Sequence, residues 1–307
     1  MTRAGAGGFA ASVALLAGSC VAPAILPATA ASPASTSAPP MHVAPPPRAP
    51  EIRGGPIILT GAAVQGGVMQ GQLAPGTVNL TLDGTPVRTA ADGRFIIAFN
   101  RDAPSSAVLR VTARDGRAID LPLKVEPRAW QVETIASLPR FAQPSAEFAR
   151  LRPSEIAQIN AARRIDGGAD GWRQRFVWPV KGRISGLFGS QRVYANGEKG
   201  DPHSGVDVAQ PTGTPVIAPA DGVVILAAAS PFTLEGNLLM IDHGMGLNSA
   251  FLHLSRIDVK IGQRVRQGQP VGAVGMTGRA SGPHLHWGMK WLDRRIDPLL
   301  LTGPMPN

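Results

Sequence analysis

The sequence predicts a mainly β protein with two domains. Its 307 residues include 36 Gly and 29 Pro, a supply of turn residues that suits many short strands better than long helices. Short apolar runs bounded by turn residues recur along most of the chain. Because 307 residues exceed what one hydrophobic core usually organises, we expect two domains joined by connectors.

Residues 1–30 are predicted to be a secretory signal peptide. Arg3 precedes an apolar run, and the sequence ATA, which ends at Ala30, is a small-x-small cleavage pattern. The apolar run is shorter than the roughly 20 residues of a membrane span, so we expect no stable membrane anchor. A lipoprotein signal favours Leu three residues before its cysteine. Cys20 has Ala17 at that position, which argues against lipid attachment.

Export and charge together narrow the class of partner. Cleavage after Ala30 lowers the formal charge from +9 to +8, because Arg3 is the only charged residue removed. It also removes Cys20, so disulfides and cysteine-ligated zinc are excluded from the exported chain. A basic balance points to an anionic partner, for which nucleic acid, anionic lipid and a carboxylate-rich cell-wall polymer all qualify, and the predicted export helps to choose among them.

Residues 31–51 and 52–126 differ sharply in pattern. The first segment is rich in Pro, Ala and Ser and predicts a disordered linker, in which His42 is solvated. The second alternates apolar runs with turns and predicts a small β-sandwich, with tight turns at Asp83-Gly84 and Asp115-Gly116. Its acids are scattered at turns and it has no His, so we interpret it as a spacer or substrate-positioning module.

Residues 127–176 are predicted to be a helical connector. A helix is expected between residues 144 and 165, with Pro153 at a helix start and with Ile156 and Ile159 on one apolar side. Four arginines share this segment without interleaved aromatic residues, and we interpret them as a solvated helix surface rather than a nucleic-acid patch. They are Arg150, Arg152, Arg163 and Arg164.

Residues 177–301 form the predicted second domain and carry the candidate site. His203 and Asp207 are spaced i, i+4, and His284 and His286 are spaced i, i+2. In a strand, even spacing places both members of a pair on one face. Two such pairs supply the three N/O ligands of a catalytic zinc site, although each pair alone is weak evidence. His253 lies in an apolar run, where a hydrogen-bonded core histidine is the alternative.

Three segments of this domain resemble one known family. The sequences HSGVD, IDHGMGLNSAFLHLS and VKIGQRVRQGQPVGAVGMTGRASGPHLHW are similar to those of the lysostaphin/LytM-type zinc metalloendopeptidases, which cleave peptide cross-links in bacterial peptidoglycan. The resemblance runs from about residue 182 to 291 and implies an antiparallel β peptidase domain. The preceding sandwich and connector are similar, more loosely, to the amino-terminal β domain of some exported members.

The resemblance also implies the site. One Zn²⁺ per chain is held by His203, Asp207 and His286, while His253 and His284 act as general base and oxyanion stabiliser, in an order the sequence leaves open. The implied partners are stem or cross-link peptides of peptidoglycan in a Gram-negative periplasm or cell envelope. Which bond is cut, and whether the sandwich or helix covers the groove, also stay open.

The sequence leaves two alternative functions to be weighed. A catalytically silent wall-binding or hydrolase-activating module is one alternative, although such relatives typically lose ligands that this chain keeps. A biotinyl or lipoyl carrier that uses Lys290 is the other, weakened because this lysine follows the ligand strand.

Phe251 stands where many relatives have Tyr, so a hydroxyl contact to substrate is absent. His243 is interpreted as a buried, hydrogen-bonded structural residue.

Overall fold

The computed structural model describes residues 52–54, 57–61, 63–135 and 145–306. The predicted signal peptide and the predicted linker lie outside these ranges. Strands dominate the described chain, which confirms the mainly β fold class. Within the described ranges, no helix combines the length and apolar character that crossing a membrane requires.

Two four-stranded antiparallel sheets form the amino-terminal part. The strands are β1 (Ile52–Gly54), β2 (Ile57–Gly61), β3 (Val68–Leu73), β4 (Thr77–Leu82), β5 (Thr85–Pro86), β6 (Arg94–Ala98), β7 (Ser106–Ala113) and β8 (Ala118–Lys124). Their orders are β1-β2-β3-β6 and β5-β4-β7-β8. Leu59 from one sheet and Leu80 from the other are buried in the same core. Asp83 and Gly84 have φ of 50° and 78°, as the predicted hairpin turn requires.

The predicted helical connector contains a strand as well as helices. Its elements are β9 (Val132–Ile135), α1 (Ala146–Arg163) and a 3-10 helix (Gly171–Arg173). Helix α1 begins well before Pro153, which lies inside it, because the Ser145 side chain accepts a hydrogen bond from the Phe148 N–H at 3.1 Å and caps the first turn. Ile159 is buried but Ile156 is 42% exposed, so the predicted apolar side is only half right.

An eight-stranded antiparallel sheet dominates the carboxy-terminal part. The elements are β10 (Arg183–Gly186), β11 (Gln191–Tyr194), β12 (Gly205–Ala209), β13 (Pro215–Ile217), β14 (Gly222–Ala227), β15 (Asn237–Gly244), β16 (Leu247–Leu254), β17 (Arg256–Ile257), β18 (Arg264–Val265), β19 (Pro270–Ala273), β20 (His284–Trp291), β21 (Arg294–Ile296) and α2 (Leu299–Thr302). The large sheet has the order β10-β12-β20-β16-β15-β14-β18, with β21 beside β20. A separate three-stranded sheet has the order β13-β19-β17, and β11 pairs in parallel with β9 of the connector.

The two faces of β20 have different environments. One face is buried in the main core and carries Leu285, Trp287, Met289 and Trp291. The opposite face, which we call the histidine face of the sheet, carries His284, His286, Gly288 and Lys290. Helix α1 packs on this same face, since Ile159 and Ala162 contact a second core that includes Ala250, the residue opposite Gly288. The helix therefore covers another part of the same sheet face, where it packs against β14.

Polar contacts fasten the amino-terminal part to the end of the large sheet. Arg128 forms an ion pair with Asp297 at 2.8 Å, and the Asp297 side chain is only 1% exposed. Burial raises the pKa of Asp297, while Arg128 opposes that rise. The Arg295 N–H donates to the Asn100 side chain at 3.2 Å. Buried hydrophobic residues of the amino-terminal and carboxy-terminal parts belong to one core. Since this core crosses the predicted domain boundaries at residues 126 and 177, those boundaries stay predictions.

Two of the four connector arginines are not solvated, so that prediction is wrong for them. Arg152 makes two hydrogen bonds to the Glu235 carboxylate, at 2.6 and 2.8 Å, and a third to Glu155 at 3.2 Å. Arg163 is also partly buried, whereas Arg150 and Arg164 are exposed. The physical reason is that α1 packs against the sheet and turns these two side chains toward it.

Candidate functional site

Strand register brings the candidate ligands onto the histidine face. Asp207 on β12 lies directly opposite His286 on β20, and Ala209 lies opposite His284. Residues directly opposite in an antiparallel pair project from the same face. Asp207, His284 and His286 therefore share one face, as their even spacing predicts. His203 precedes β12 and its ring reaches back to the same point, with Nε2 3.2 Å from Asp207 Oδ1.

Three donor atoms form a small triangle that fits a metal ion. His203 Nε2 lies 3.1 Å from His286 Nδ1, and Asp207 Oδ1 lies 3.2 Å and 2.9 Å from these two atoms. A tetrahedral ion with bonds of about 2.0 to 2.2 Å requires ligand atoms roughly 3.3 to 3.6 Å apart. The observed edges are only slightly shorter. Among the described residues, this His-Asp-His group is the one whose donor atoms converge closely enough to hold a metal.

Hydrogen bonds orient three of the four imidazoles toward the same centre. His203, His253 and His284 each donate from Nδ1 to a backbone carbonyl, at 3.0, 2.8 and 2.8 Å, and the acceptors are Leu187, Thr277 and Gly282. Each Nδ1 therefore carries a proton, and in the neutral imidazole Nε2 keeps a lone pair. Such partners to the outer nitrogen are typical of histidines that bind metals or exchange protons. Without a cation, a lone pair on Nε2 of His203 or His284 would face Asp207 Oδ1, 3.2 and 3.8 Å away, unfavourably.

His253 reaches the site through an irregular strand end. Leu252 lies opposite His286, so regular alternation would turn His253 to the core face of the sheet. The pairing of β15 with β16 is irregular here, and His253 has φ of 63°. Its ring centroid consequently lies 4.9 Å from that of His284 and 6.3 Å from that of His286. A positive φ at a non-glycine residue costs about 1–3 kcal/mol and is concentrated at functional sites.

The loop before β12 and a glycine on β10 hold the ligands in place. The backbone of His203 accepts from the Gly189 N–H at 2.9 Å and donates to the Ser190 carbonyl at 2.8 Å. Gly186 lies opposite Asp207, and a Cβ there would stand 2.5 Å from Asp207 Oδ2. Sequence reasoning missed Gly186. Its signal was a glycine inside a strand, which often marks a close approach of another group.

Thr277 is a second residue that sequence reasoning missed. Its carbonyl accepts the Nδ1–H of His253, while its hydroxyl donates to the Leu254 carbonyl and accepts from the Asn237 N–H, both at 2.9 Å. Thr277 thus holds the strand end and the imidazole together. Nothing in its local sequence, GMTGRA, indicates this role, because its partners lie about 20 to 40 residues away in the chain.

The environment keeps the Asp207 carboxylate ionised and shifts the pKa values of His203 and His253 in opposite directions. Burial raises the pKa of Asp207, but hydrogen bonds from His203 and His286 outweigh burial and lower it well below the usual range. Burial lowers the pKa of His203, but Asp207 outweighs it and raises that pKa. Burial, aided by the charges of the nearby His284 and His286, lowers the pKa of His253 to about 4. At neutral pH, His253 is therefore a proton acceptor.

Three further residues of the sequence analysis, His243, Phe251 and Lys290, lie away from the candidate metal site. His243 is fully buried and hydrogen-bonded to the Asp221 carbonyl and to the Ser249 hydroxyl, both at 2.8 Å. Phe251 is 0% exposed and lies opposite Trp287 on the core face, so a hydroxyl at this position would not point along the histidine face.

Lys290 does not fit a carrier lysine. It lies within β20, is only partly exposed and is paired with Arg295 of β21. A carrier lysine needs an exposed hairpin tip, where a modifying enzyme can reach it. The geometry therefore favours a metal centre over attachment of a biotinyl or lipoyl group.

Comparison with known proteins finds similar sequences and a similar structure. Residues 201–298 match the family model "Peptidase family M23". A crystal structure of a putative peptidase M23 from Pseudomonas aeruginosa is 32% identical, covers 78% of this chain and 95% of its own, and superposes with a TM-score of 0.61. The peptidoglycan DD-endopeptidase ShyA of Vibrio cholerae is 40% identical over 134 residues, which are 44% of this chain and 31% of ShyA.

A third relative is named for cell division rather than for a peptidase activity. The cell division protein DipM of Caulobacter vibrioides is 36% identical over 133 residues, 41% of this chain and 21% of DipM. The chain thus spans a third or less of the length of these two curated relatives.

Proposed function

We propose, from the premise that this chain belongs to peptidase family M23, that it is an exported zinc endopeptidase that hydrolyses peptide cross-links of peptidoglycan. The observation that carries this proposal is the triangle of His203, Asp207 and His286 donor atoms, 2.9 to 3.2 Å apart, beside two further imidazoles. Two neutral nitrogens and one carboxylate oxygen are a donor set that suits zinc and leaves a fourth position for water or substrate.

His203, Asp207 and His286 would hold the ion. When bound, zinc lowers the pKa of a water molecule toward 7 and polarises a carbonyl group. His253 and His284 keep a lone pair on Nε2, because their Nδ1–H groups are held by backbone carbonyls. One of them accepts the proton of the attacking water. The other, once protonated, donates to the developing oxyanion or to the leaving amine.

The proposed substrate follows from the relatives and from charge. ShyA is named a peptidoglycan DD-endopeptidase, and we extend that substrate class, a cross-link between two D-configured centres, to this chain. The predicted signal peptide supports a periplasmic location. A positively charged exported chain also attracts the free carboxylates of wall peptides, so its binding to purified walls should weaken as salt rises from about 0.05 to 0.5 M. Binding that is insensitive to salt would remove the charge argument.

Digestion of purified peptidoglycan tests the activity. The zinc-loaded protein should convert cross-linked dimers into monomers, detected by mass spectrometry as the addition of one water per bond. Treatment with a chelator should abolish the conversion, and added zinc should restore it. Wall binding without any conversion would overturn the proposal and leave a wall-binding module.

A further inference from the structure

The histidine face continues past the metal centre to a second polar region. Along β20, His286 is followed on this face by Gly288 and then by Lys290. Strand geometry places Lys290 about 13 Å from His286, measured between Cα atoms. Gly288 has no side chain, and a Cβ there would already stand 3.3 Å from the Ser204 carbonyl oxygen. The floor between the two regions is therefore backbone at Gly288, and the Ser204 carbonyl and the His286 ring stand close beside it.

Three cations meet at the far end of this floor. Lys290 lies opposite Arg295 of β21, so both side chains project from the histidine face. Arg163 enters from the last turn of α1. Burial lowers the pKa of Lys290, and the charges of Arg163 and Arg295 lower it further, while Asp293 opposes them. The same two neighbours, Arg295 and Asp293, act on Arg163.

These cations lack a partner of opposite charge within contact distance. Among the described residues, Arg163, Lys290 and Arg295 form no ion pair within 4.0 Å, and the nearby acids, Glu235 and Asp293 for Arg163 and Asp293 for Lys290, act only at longer range. The Nε–H of Arg163 is buried and has no hydrogen-bond partner. A buried donor without a partner costs about 1–3 kcal/mol, and more when charged, so it indicates a missing anion or acceptor.

A cavity adjoins both Arg295 and the candidate ligand His203. Its volume is about 200 Å³, and its other lining residues include Asp293, Pro202 and Asp102 but neither Lys290 nor Arg163. A chain that crosses the candidate metal site therefore has room to continue toward Arg295. At about 3.3 Å per extended residue, the 13 Å span accommodates about four residues.

We propose that Arg163, Lys290 and Arg295 form a subsite that binds a free carboxylate of the substrate's stem peptide. The inference rests on the proposed function and adds a binding role that the metal centre does not supply. Guanidinium groups bind carboxylates through two parallel hydrogen bonds, and an ammonium adds a third donor. Bound there, a carboxylate would provide the acceptor that Arg163 Nε lacks. It would also fix the register of the peptide relative to the metal.

Binding to the metal-free full chain tests the subsite without catalysis. Calorimetry would compare a synthetic stem tetrapeptide that has free carboxylates with the same peptide in which every carboxylate is amidated. The free acid should bind at least about 10-fold more tightly, because hydrogen bonds to charged groups are strong. Lys290→Met and the exposed Arg295→Met should each remove most of that preference. Lys260→Met, which removes an exposed lysine elsewhere, should keep it.

Kinetics with a cross-linked dimer separate this inference from the proposed function. Lys290→Met should raise KM about 10-fold with kcat nearly unchanged, as expected when binding is lost equally from substrate and transition state. If the wild type hydrolyses the dimer but Lys290→Met and Lys260→Met behave alike, the subsite is refuted and the proposed function stands. If the wild type prefers the free acid through Lys290 but hydrolyses nothing, the proposed function fails and the subsite stands.

Discussion

Two buried histidines of neighbouring strands, His243 on β15 and His253 on β16, have opposite surroundings. They are 0% and 6% exposed, and burial lowers the pKa of each to about 4. His243 has both ring nitrogens hydrogen-bonded, and its partner Ser249 also accepts the Trp287 indole N–H at 3.1 Å. His253 has a partner for Nδ1, and its Nε2 has none among the described residues. Burial and pKa therefore do not separate a structural histidine from a reactive one.

The two histidines differ in backbone conformation and in whether Nε2 has a hydrogen-bond partner. His243 completes a closed chain of hydrogen bonds, whereas His253 has a positive φ that aims its Nε2 at other imidazoles. The comparison teaches that a satisfied imidazole stabilises the fold, and an imidazole held by one side only is available for chemistry. Four experiments break or sharpen this contrast, in order of decreasing effect.

Loss of a candidate ligand should have the largest effect. In His203→Ala, the donor triangle loses one corner, so bound zinc should fall from about one per chain to near zero and hydrolysis should fall to the level of buffer. Elemental analysis and dimer digestion measure the two quantities. His42→Ala, in the predicted linker, is the matched control. Undiminished hydrolysis by His203→Ala would contradict the metal assignment.

Replacement of His253 should separate chemistry from metal binding. His253→Gln should retain about one zinc per chain and a cooperative unfolding transition, while kcat falls by roughly 10²- to 10⁴-fold, the usual contribution of a general acid or base. Initial rates on a cross-linked dimer, at equal zinc occupancy, provide the measurement. A variant that loses its zinc would instead make His253 part of the metal-binding set.

Replacement of His243 should give the reverse pattern. His243→Leu leaves the O–H donor of Ser249 and the carbonyl of Asp221 without the imidazole they bind, so the free energy of unfolding should fall by about 2–5 kcal/mol. Urea denaturation measures this change. The kcat of the folded, zinc-loaded fraction should stay within about twofold of wild type, since a group outside the site leaves the transition state unaltered. A loss of kcat comparable to that of His253→Gln would remove the distinction between the two histidines.

The pH dependence of stability sharpens the same point. The folded-state pKa of His243 is about 4, below its unfolded value of 6.5. Its contribution is therefore complete above pH 6.5 and is lost as pH falls toward 4, by on the order of 3 kcal/mol. Urea unfolding of the metal-free protein between pH 7 and 4 should show this loss. In His243→Leu the total loss of unfolding free energy between pH 7 and 4 should be smaller by that amount, and an identical loss would contradict the assignment.

The sequence anticipated the ligand pairs because strand periodicity is a local rule. His284 and His286 share a face of β20 because they are two residues apart, and Asp207 meets His286 across β12. The β fold class followed in the same way from turn residues and short apolar runs. The position of His253 did not follow, because regular alternation predicts the core face for it. A local break in register decides otherwise.

Long-range packing explains the remaining differences. The start of α1 is set by the Ser145 cap rather than by Pro153. Arg152 and Arg163 are drawn from solvent because the helix packs on the sheet, and no local pattern records which strand it meets. The burial of Phe251 against Trp287 likewise depends on the order β20-β16 in the sheet.

By itself, the sequence determined which residue types could bind a metal, which pairs share a strand face and that the chain is mainly β, since these depend on residue type and on spacing of a few residues. Only the tertiary structure decided that His203, His253 and the β12 and β20 ligands converge, that Gly186 makes room for Asp207, and that three cations meet beyond Gly288. The physical reason is that convergence depends on sheet order, register and one positive φ. These are properties of contacts between segments far apart in the chain.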